Sequence, residues 1–286
     1  MQRASNQPYR AVIFNADDFG LSPGVNEGIV RAHRHGIVRA ASLMVAAPAF
    51  AEAVSCARAH PELDLGIHLT LTVGCPVLQP SQVPSLVTRT GHFPRFGHWL
   101  LRALCGRIDP EDIRREFVAQ VERALATGLR FTHLDSHHHV HLFPTVQPVV
   151  TDIARQFGLP FVRSIAHHHG KAGYNGVTAV KHRILRCLQR PNPTTSRNER
   201  AVRALLIPAP GSPARWRQFL QALPEGVTEL VCHPGLADRV LAQLDPYTVE
   251  REVELRWLTS RQLASLVAEA NVDVTSFSAL ADRGGR

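Results

Sequence analysis

Short runs of β-forming residues alternate with helix-length amphipathic stretches through most of this chain, and that rhythm restricts its fold more than any other feature. A strand, a helix and a second strand of the same sheet, repeated, build parallel βα units. Candidate strands fall at 11–15, 42–46, 64–70, 130–135, 160–164 and 227–232, with helical patterns at about 24–35, 49–59, 110–127, 145–157, 213–222 and 259–270. The clearest helix is 110–127, which has Asp109 as N-cap, Pro110 in the first turn and Gly128 as its stop. Two segments break the rhythm. Residues 76–98 are rich in turn formers, and residues 165–200 are basic and interrupted by Gly170, Gly173, Gly176, Pro191 and Pro193. Both read as irregular insertions over one face, and His167-His168-His169 reads as a solvated loop rather than a ligand set.

A chain of 286 residues fits one α/β barrel, so a single domain over 1–286 is expected. Hydrophobic residues at 44% and charged residues at 20% describe an ordinary globular composition and exclude general disorder. The net charge of +8 favours anionic encounters. Its arginines are scattered without aromatic neighbours for base stacking, so no nucleic-acid partner is expected. Five cysteines, odd in number and without a CxxC pair, argue against a disulfide framework and against a thiolate zinc site. The polar start Met1–Arg10 holds no signal-like apolar region, and no segment is long enough to span a bilayer. A cytoplasmic location is therefore expected.

The chemistry gathers at strand ends. Asn15-Ala16-Asp17-Asp18-Phe19-Gly20 puts two carboxylates directly after the apolar run Ala11–Phe14. His68, Asp135 with His137, Arg163 and His233 fall at the same place in their own βα units. A parallel barrel or an open α/β sheet gathers such ends into one crevice. One carboxylate and two imidazoles make a three-ligand site with an open position, as hydrolytic metal chemistry requires, and Asp18, His68 and His137 are assigned to it. Asp17 is then placed as general base, His233 as proton donor to the leaving group, and Arg163 as the partner that keeps Asp17 ionised. Asp135 reads as an acceptor behind a ligand. His139 and His141, on one side with His137 at strand spacing, would support the ligands or bind substrate. The bland alternatives are helix caps for the aspartates, a core histidine for His68 and a structural ion pair for Arg163.

Taken together, Asn15–Ser22, Gly66-Ile67-His68-Leu69, Thr132–His141 and Cys232-His233-Pro234 resemble the YdjC-like carbohydrate deacetylases, in particular the chitooligosaccharide (diacetylchitobiose) deacetylase branch, over about residues 10–280. The resemblance implies a distorted TIM-like (β/α) barrel and one divalent metal ion, zinc or magnesium. It implies hydrolysis of an N-acetyl group from an N-acetylglucosamine unit to give acetate and a free amine, often by a homodimer. Carried over by position, the family's metal ligands fall on Asp18, His68 and His137 and its base on Asp17. The His-Pro motif falls on His233-Pro234. The segment 165–200 departs from the usual pattern, and a related branch acts in hopanoid glycolipid biosynthesis, so the resemblance implies an N-acetylated sugar or glycolipid as substrate. Rival readings are a metal-dependent amidase or phosphodiesterase for a non-sugar substrate and a non-catalytic metal- or anion-binding protein.

Overall fold

The computed structural model describes residues 9–165, Cys187 and residues 202–283. Its sheet is parallel throughout. The strands are β1 (Arg10–Phe19), β2 (Ala40–Leu43), β3 (Asp64–Leu69), β4 (His133–Ser136), β5 (Phe161–Val162), β6 (Ser164–Ile165), β7 (Arg203–Leu206), β8 (Gly226–Cys232) and β9 (Asp273–Val274). Their order is β5-β4-β3-β2-β1-β8-β7-β6, and β9 adds to the starting half of β1 beside Ala11 and Val12. The two ends of that path, β5 and β6, are consecutive in the chain with only Arg163 between them. β5 pairs with β4 and β6 with β7, so the sheet nearly closes on itself as a distorted TIM-like barrel.

β1 is buried on both faces because both faces have apolar work. Val12, Phe14 and Ala16 pack outward against the helices, among them α1 (Pro23–Arg34) and α2 (Phe50–Ala59). Ile13, on the alternate face, packs with Ala40, Phe161, Val202, Phe277 and Leu280. The last two come from α10 (Phe277–Arg283), which therefore lies across the strand-start end of the barrel. Remaining helices are α3 (Phe96–Leu104), α4 (Pro110–Leu125), α5 (Gln147–Gln156), α6 (Pro213–Gln221), α7 (Arg239–Leu244), α8 (Val249–Leu258) and α9 (Arg261–Glu269).

Local chemistry accounts for the boundaries. α1 starts where the Ser22 hydroxyl accepts from Val25 N at 3.2 Å with Pro23 in the first turn, and α4 starts where Asp109 accepts from Glu111 N at 2.9 Å before Pro110. α4 also tethers the first irregular segment. Glu116 accepts from Val77 N at 2.9 Å and Leu78 N at 3.2 Å, and Gln120 accepts from Thr70 N at 3.0 Å. The expected insertion at 76–98 is thus pinned to the barrel, contains a 3-10 turn at Pro80–Gln82 and leads into α3. The expected insertion at 165–200, with His167–His169, lies outside the described residues apart from Ile165 and Cys187. β7, β9, α3, α7, α8 and α10 were not expected from the sequence. Among the described residues, no helix is long and apolar enough to cross a membrane.

Candidate functional site

The site begins with an irregularity in β1. Ala16 is level with Ala41 of β2 while Phe19 is level with Leu43, so β1 carries one residue more than its neighbour over this stretch, and Asp18 sits in the left-handed region at φ 72°. The bulge interrupts the in-out alternation that would otherwise send consecutive side chains apart. Asp17 and Asp18 both enter one buried polar network, each 2% exposed.

Around Asp18 the expected ligands converge. Asp18 Oδ1 lies 2.7 Å from His137 Nδ1 and 3.3 Å from His68 Nε2. His68 reaches it from β3, and its other nitrogen, Nδ1, is 2.6 Å from Oδ1 of Asp135, its register partner on β4. That contact fixes the ring and leaves Nε2 directed at Asp18. His137 opens a 3-10 turn, His137–Leu142, in which His138 and His139 both have φ 55°. The strand spacing expected for His137, His139 and His141 is therefore wrong, because two consecutive left-handed residues coil the backbone. All three are nonetheless buried. His141 turns back to Ser136, with Nδ1 2.6 Å from Oγ, and burial drives its basicity down to about 3, so it stays neutral. The ring of His139 stands 6.2 Å edge-on from that of His141. His138 is exposed, 2.9 Å from Thr72 Oγ1 and 4.9 Å from the Phe96 ring of α3.

Donor atoms of Asp18, His68 and His137 all lie within 4.8 Å of one another, as do those of Asp17, His68 and Asp135. The first set suits a cation better. Asp17 and Asp135 are already held by Arg163, and His68 Nδ1 by Asp135, whereas His137 Nε2 is buried with no hydrogen-bond partner. Charge supports the same choice. Burial opposes ionisation of Asp18, yet His137 and Arg251 hold its carboxyl well below the usual range. Burial would also depress His68, but Asp135 and Asp17 push it up to about 10. A proton trapped between an imidazole and a carboxylate marks a place where a divalent ion fits.

Arg163 is the second centre. Its Nη1 and Nη2 each donate to Asp17 at 2.6 Å, Nε donates to Glu229 Oε1 at 2.9 Å, and Nη2 also lies 2.5 Å from Asp135 Oδ2. Asn15 Nδ2 donates to Asp17 Oδ1 at 3.1 Å and to Ser42 Oγ at 2.8 Å, and Ser42 Oγ donates to Asp135 Oδ2 at 2.7 Å. The pairing of Arg163 with Asp17 is as expected from the sequence, but its electrostatic result differs. One guanidinium serves three carboxylates, so burial, helped by Asp135, outweighs Arg163 and raises Asp17 above the ordinary carboxyl range. Glu229 is raised by burial to about 7, while Asp135 is held well below its ordinary value, burial notwithstanding, by Arg163 and His68.

His233 stands one residue past Cys232, which is level with Ala16, so it follows β8 at the height of Asp17. Its backbone N–H donates to Glu254 Oε2 at 2.6 Å and its ring stands edge-on to Tyr247 at 5.9 Å. Sequence reasoning missed Arg251 and Glu254 of α8, Glu229 of β8 and Ser42 of β2. Glu229 had a signal, a carboxylate within an apolar strand. Arg251 had none, since it lies among Glu250, Glu252, Glu254 and Arg256 in a charge-rich stretch with no motif to single it out.

Residues 11–269 match the family described as YdjC-like protein. A carbohydrate deacetylase of Vibrio vulnificus (strain CMCP6) is 39% identical over 271 residues, which cover 94% of this chain and 96% of the relative. One from Geobacillus stearothermophilus is 38% identical over 273 residues, with 94% and 97% covered. Among solved structures, a protein of Enterococcus faecalis V583 assigned to cellobiose-phosphate cleavage superposes with a TM-score of 0.74 at 27% identity, over 95% of this chain and 99% of that one.

Proposed function

The chain belongs to the YdjC-like family, and from that membership we propose that it is a metal-dependent hydrolase that removes the N-acetyl group from an N-acetylglucosamine-containing oligosaccharide or glycoconjugate and releases acetate. The observation that carries this reading is the meeting of Asp18, His68 and His137 around one point beside Asp17. Those three residues would hold a divalent ion, zinc or magnesium. When bound, such an ion polarises an acyl oxygen and makes water easier to deprotonate.

The rest of the reaction falls to the chain's own groups. Asp17, which burial makes a stronger base than an ordinary carboxylate, accepts a proton from the attacking water. Arg163 orients Asp17 through both of its oxygens. Asp135 orients His68 and fixes its tautomer. His233, beyond the end of β8, donates a proton to the departing sugar nitrogen. His139 and His141, neighbours of His137 in the same turn, shape the wall of the crevice.

The test is acetate release from N-acetylated mono- and oligosaccharides and an N-acetylated glycolipid, with a phosphorylated disaccharide as comparison, before and after chelation and metal return. Acetate from the N-acetylated sugars that stops on chelation and recovers with metal supports the reading. Phosphate release instead, or turnover indifferent to chelation, would overturn it.

A further inference from the structure

Asp18 has two oxygens, and only one faces the imidazoles. The other, Oδ2, accepts from Arg251 Nη2 at 2.7 Å. Arg251 rises from α8, is 1% exposed, and is itself fixed by Asp245 Oδ2 at 2.6 Å and by donation from Nε to the Tyr247 carbonyl at 2.9 Å. The fold makes room for its stem. A Cβ on Gly235 would lie 3.1 Å from Arg251 Cδ. Placing a permanent cation on a metal ligand opposes the binding of another cation, so the arrangement calls for a reason beyond affinity.

Resting on the metal reading above, we propose that Arg251 is a positioning residue that sets which ion the site accepts. By occupying Oδ2 it restricts Asp18 to a single oxygen toward His68 and His137, and by sharing the carboxylate's charge it weakens that oxygen as a donor. Binding then depends chiefly on the two imidazoles. Nitrogen donors favour zinc and similar transition ions, whereas magnesium depends on strong oxygen donors and gains little from imidazole. Arg251 thereby discriminates against hard cations. Asp245 adjusts the effect by competing with Asp18 for the same guanidinium.

The experiment is calorimetric titration of zinc and of magnesium into the chelator-stripped wild type, Arg251→Met and Asp245→Asn, with circular dichroism to confirm folding. In Arg251→Met, the ratio of the magnesium to the zinc dissociation constant should fall by about 10–100-fold, the range expected for a group one bond behind a ligand. In Asp245→Asn, which leaves the whole guanidinium charge to Asp18, the ratio should rise. A ratio unchanged in both variants, or moving the opposite way in either, overturns the proposal. If Arg251→Met does not fold, the direction in Asp245→Asn decides. A wild type that binds zinc but releases no acetate removes the proposed substrate and leaves this inference standing; one that binds neither ion removes both.

Discussion

Asp18 is held at φ 72°, a conformation that costs a residue with a β-carbon about 1–3 kcal/mol and persists only where the surroundings enforce it. Here its carbonyl accepts from Leu21 N at 2.9 Å and its carboxylate is gripped by His137 and Arg251. Its neighbour Asp17 is proposed for a different task, and Asp17→Asn should separate the two: metal content stays at the wild-type level while kcat falls by about 10²–10⁴-fold. Metal analysis alongside acetate release checks this, and near-normal turnover would remove Asp17 as base. Protonation gives a second prediction. His68 and Glu229 have values raised in the folded protein, from 6.5 to about 10 and from 4.5 to about 7. A raised group stabilises the fold below its unfolded value and loses that contribution as pH climbs through the folded one. The lowered carboxylates Asp18 and Asp135 act in the opposite sense and lose their contribution only in acid, below 3.8. The buried imidazoles His133 and His141, lowered to about 4 and about 3, lose their contribution below 6.5 and offset Glu229 there, so the clear signal lies higher: the metal-free protein should lose stability from about pH 7 to about pH 10 as His68 gives up its proton. Thermal unfolding midpoints in chelator across that range provide the measurement; a midpoint rising from pH 7 to 10 would contradict it.

At the level of elements, β3 and β4 are locked by a steric fit. A Cβ on Gly66 would lie 2.2 Å from the His133 ring, which stacks on Phe277 at 4.0 Å and is kept neutral by burial, its value lowered to about 4. Gly66→Ala should destabilise the fold by about 1–3 kcal/mol, as overpacking does, and should weaken metal binding through His68 two residues on. Urea unfolding and metal titration test both halves. The elements also show what the sequence could and could not reveal. β1, β3 and β8 were legible because apolar runs long enough to be strands end in charged or ring-bearing residues, and α4 because Asp109, Pro110 and Gly128 punctuate it. β7 and β9 were not, being four and two residues long and defined by their pairing with β8 and β1. The turn at His137–Leu142 was misread because neither left-handed position carries the Gly or Asn that usually announces one. In α8, Arg251 and Glu254 look like a solvated face until tertiary packing buries them at 1% and 4%. The residues that meet around Asp18, with Asp135 behind His68 and Arg163 beside Asp17, could thus be read from the chain, but Arg251, Glu254, Glu229 and Ser42 could not.

For the molecule as a whole, closure of the barrel and the site share one residue. Arg163 sits between β5 and β6, donates its backbone N–H to Leu134 O at 3.0 Å, and binds carboxylates from β1, β4 and β8. Arg163→Met would leave three buried carboxylates without their cation, so it should destabilise the protein by about 3–5 kcal/mol in addition to lowering activity. Urea unfolding at constant pH measures it, and a change confined to activity would show that the guanidinium matters only for chemistry. The contact between Asp18 and Arg251 spans 233 residues of sequence. During synthesis at roughly 5–20 residues per second, the acid leaves the ribosome on the order of ten seconds to most of a minute before its basic partner has been translated. The nascent polypeptide thus carries Asp17 and Asp18 early, and the Asp18 carboxylate waits for its guanidinium until α8 has been made.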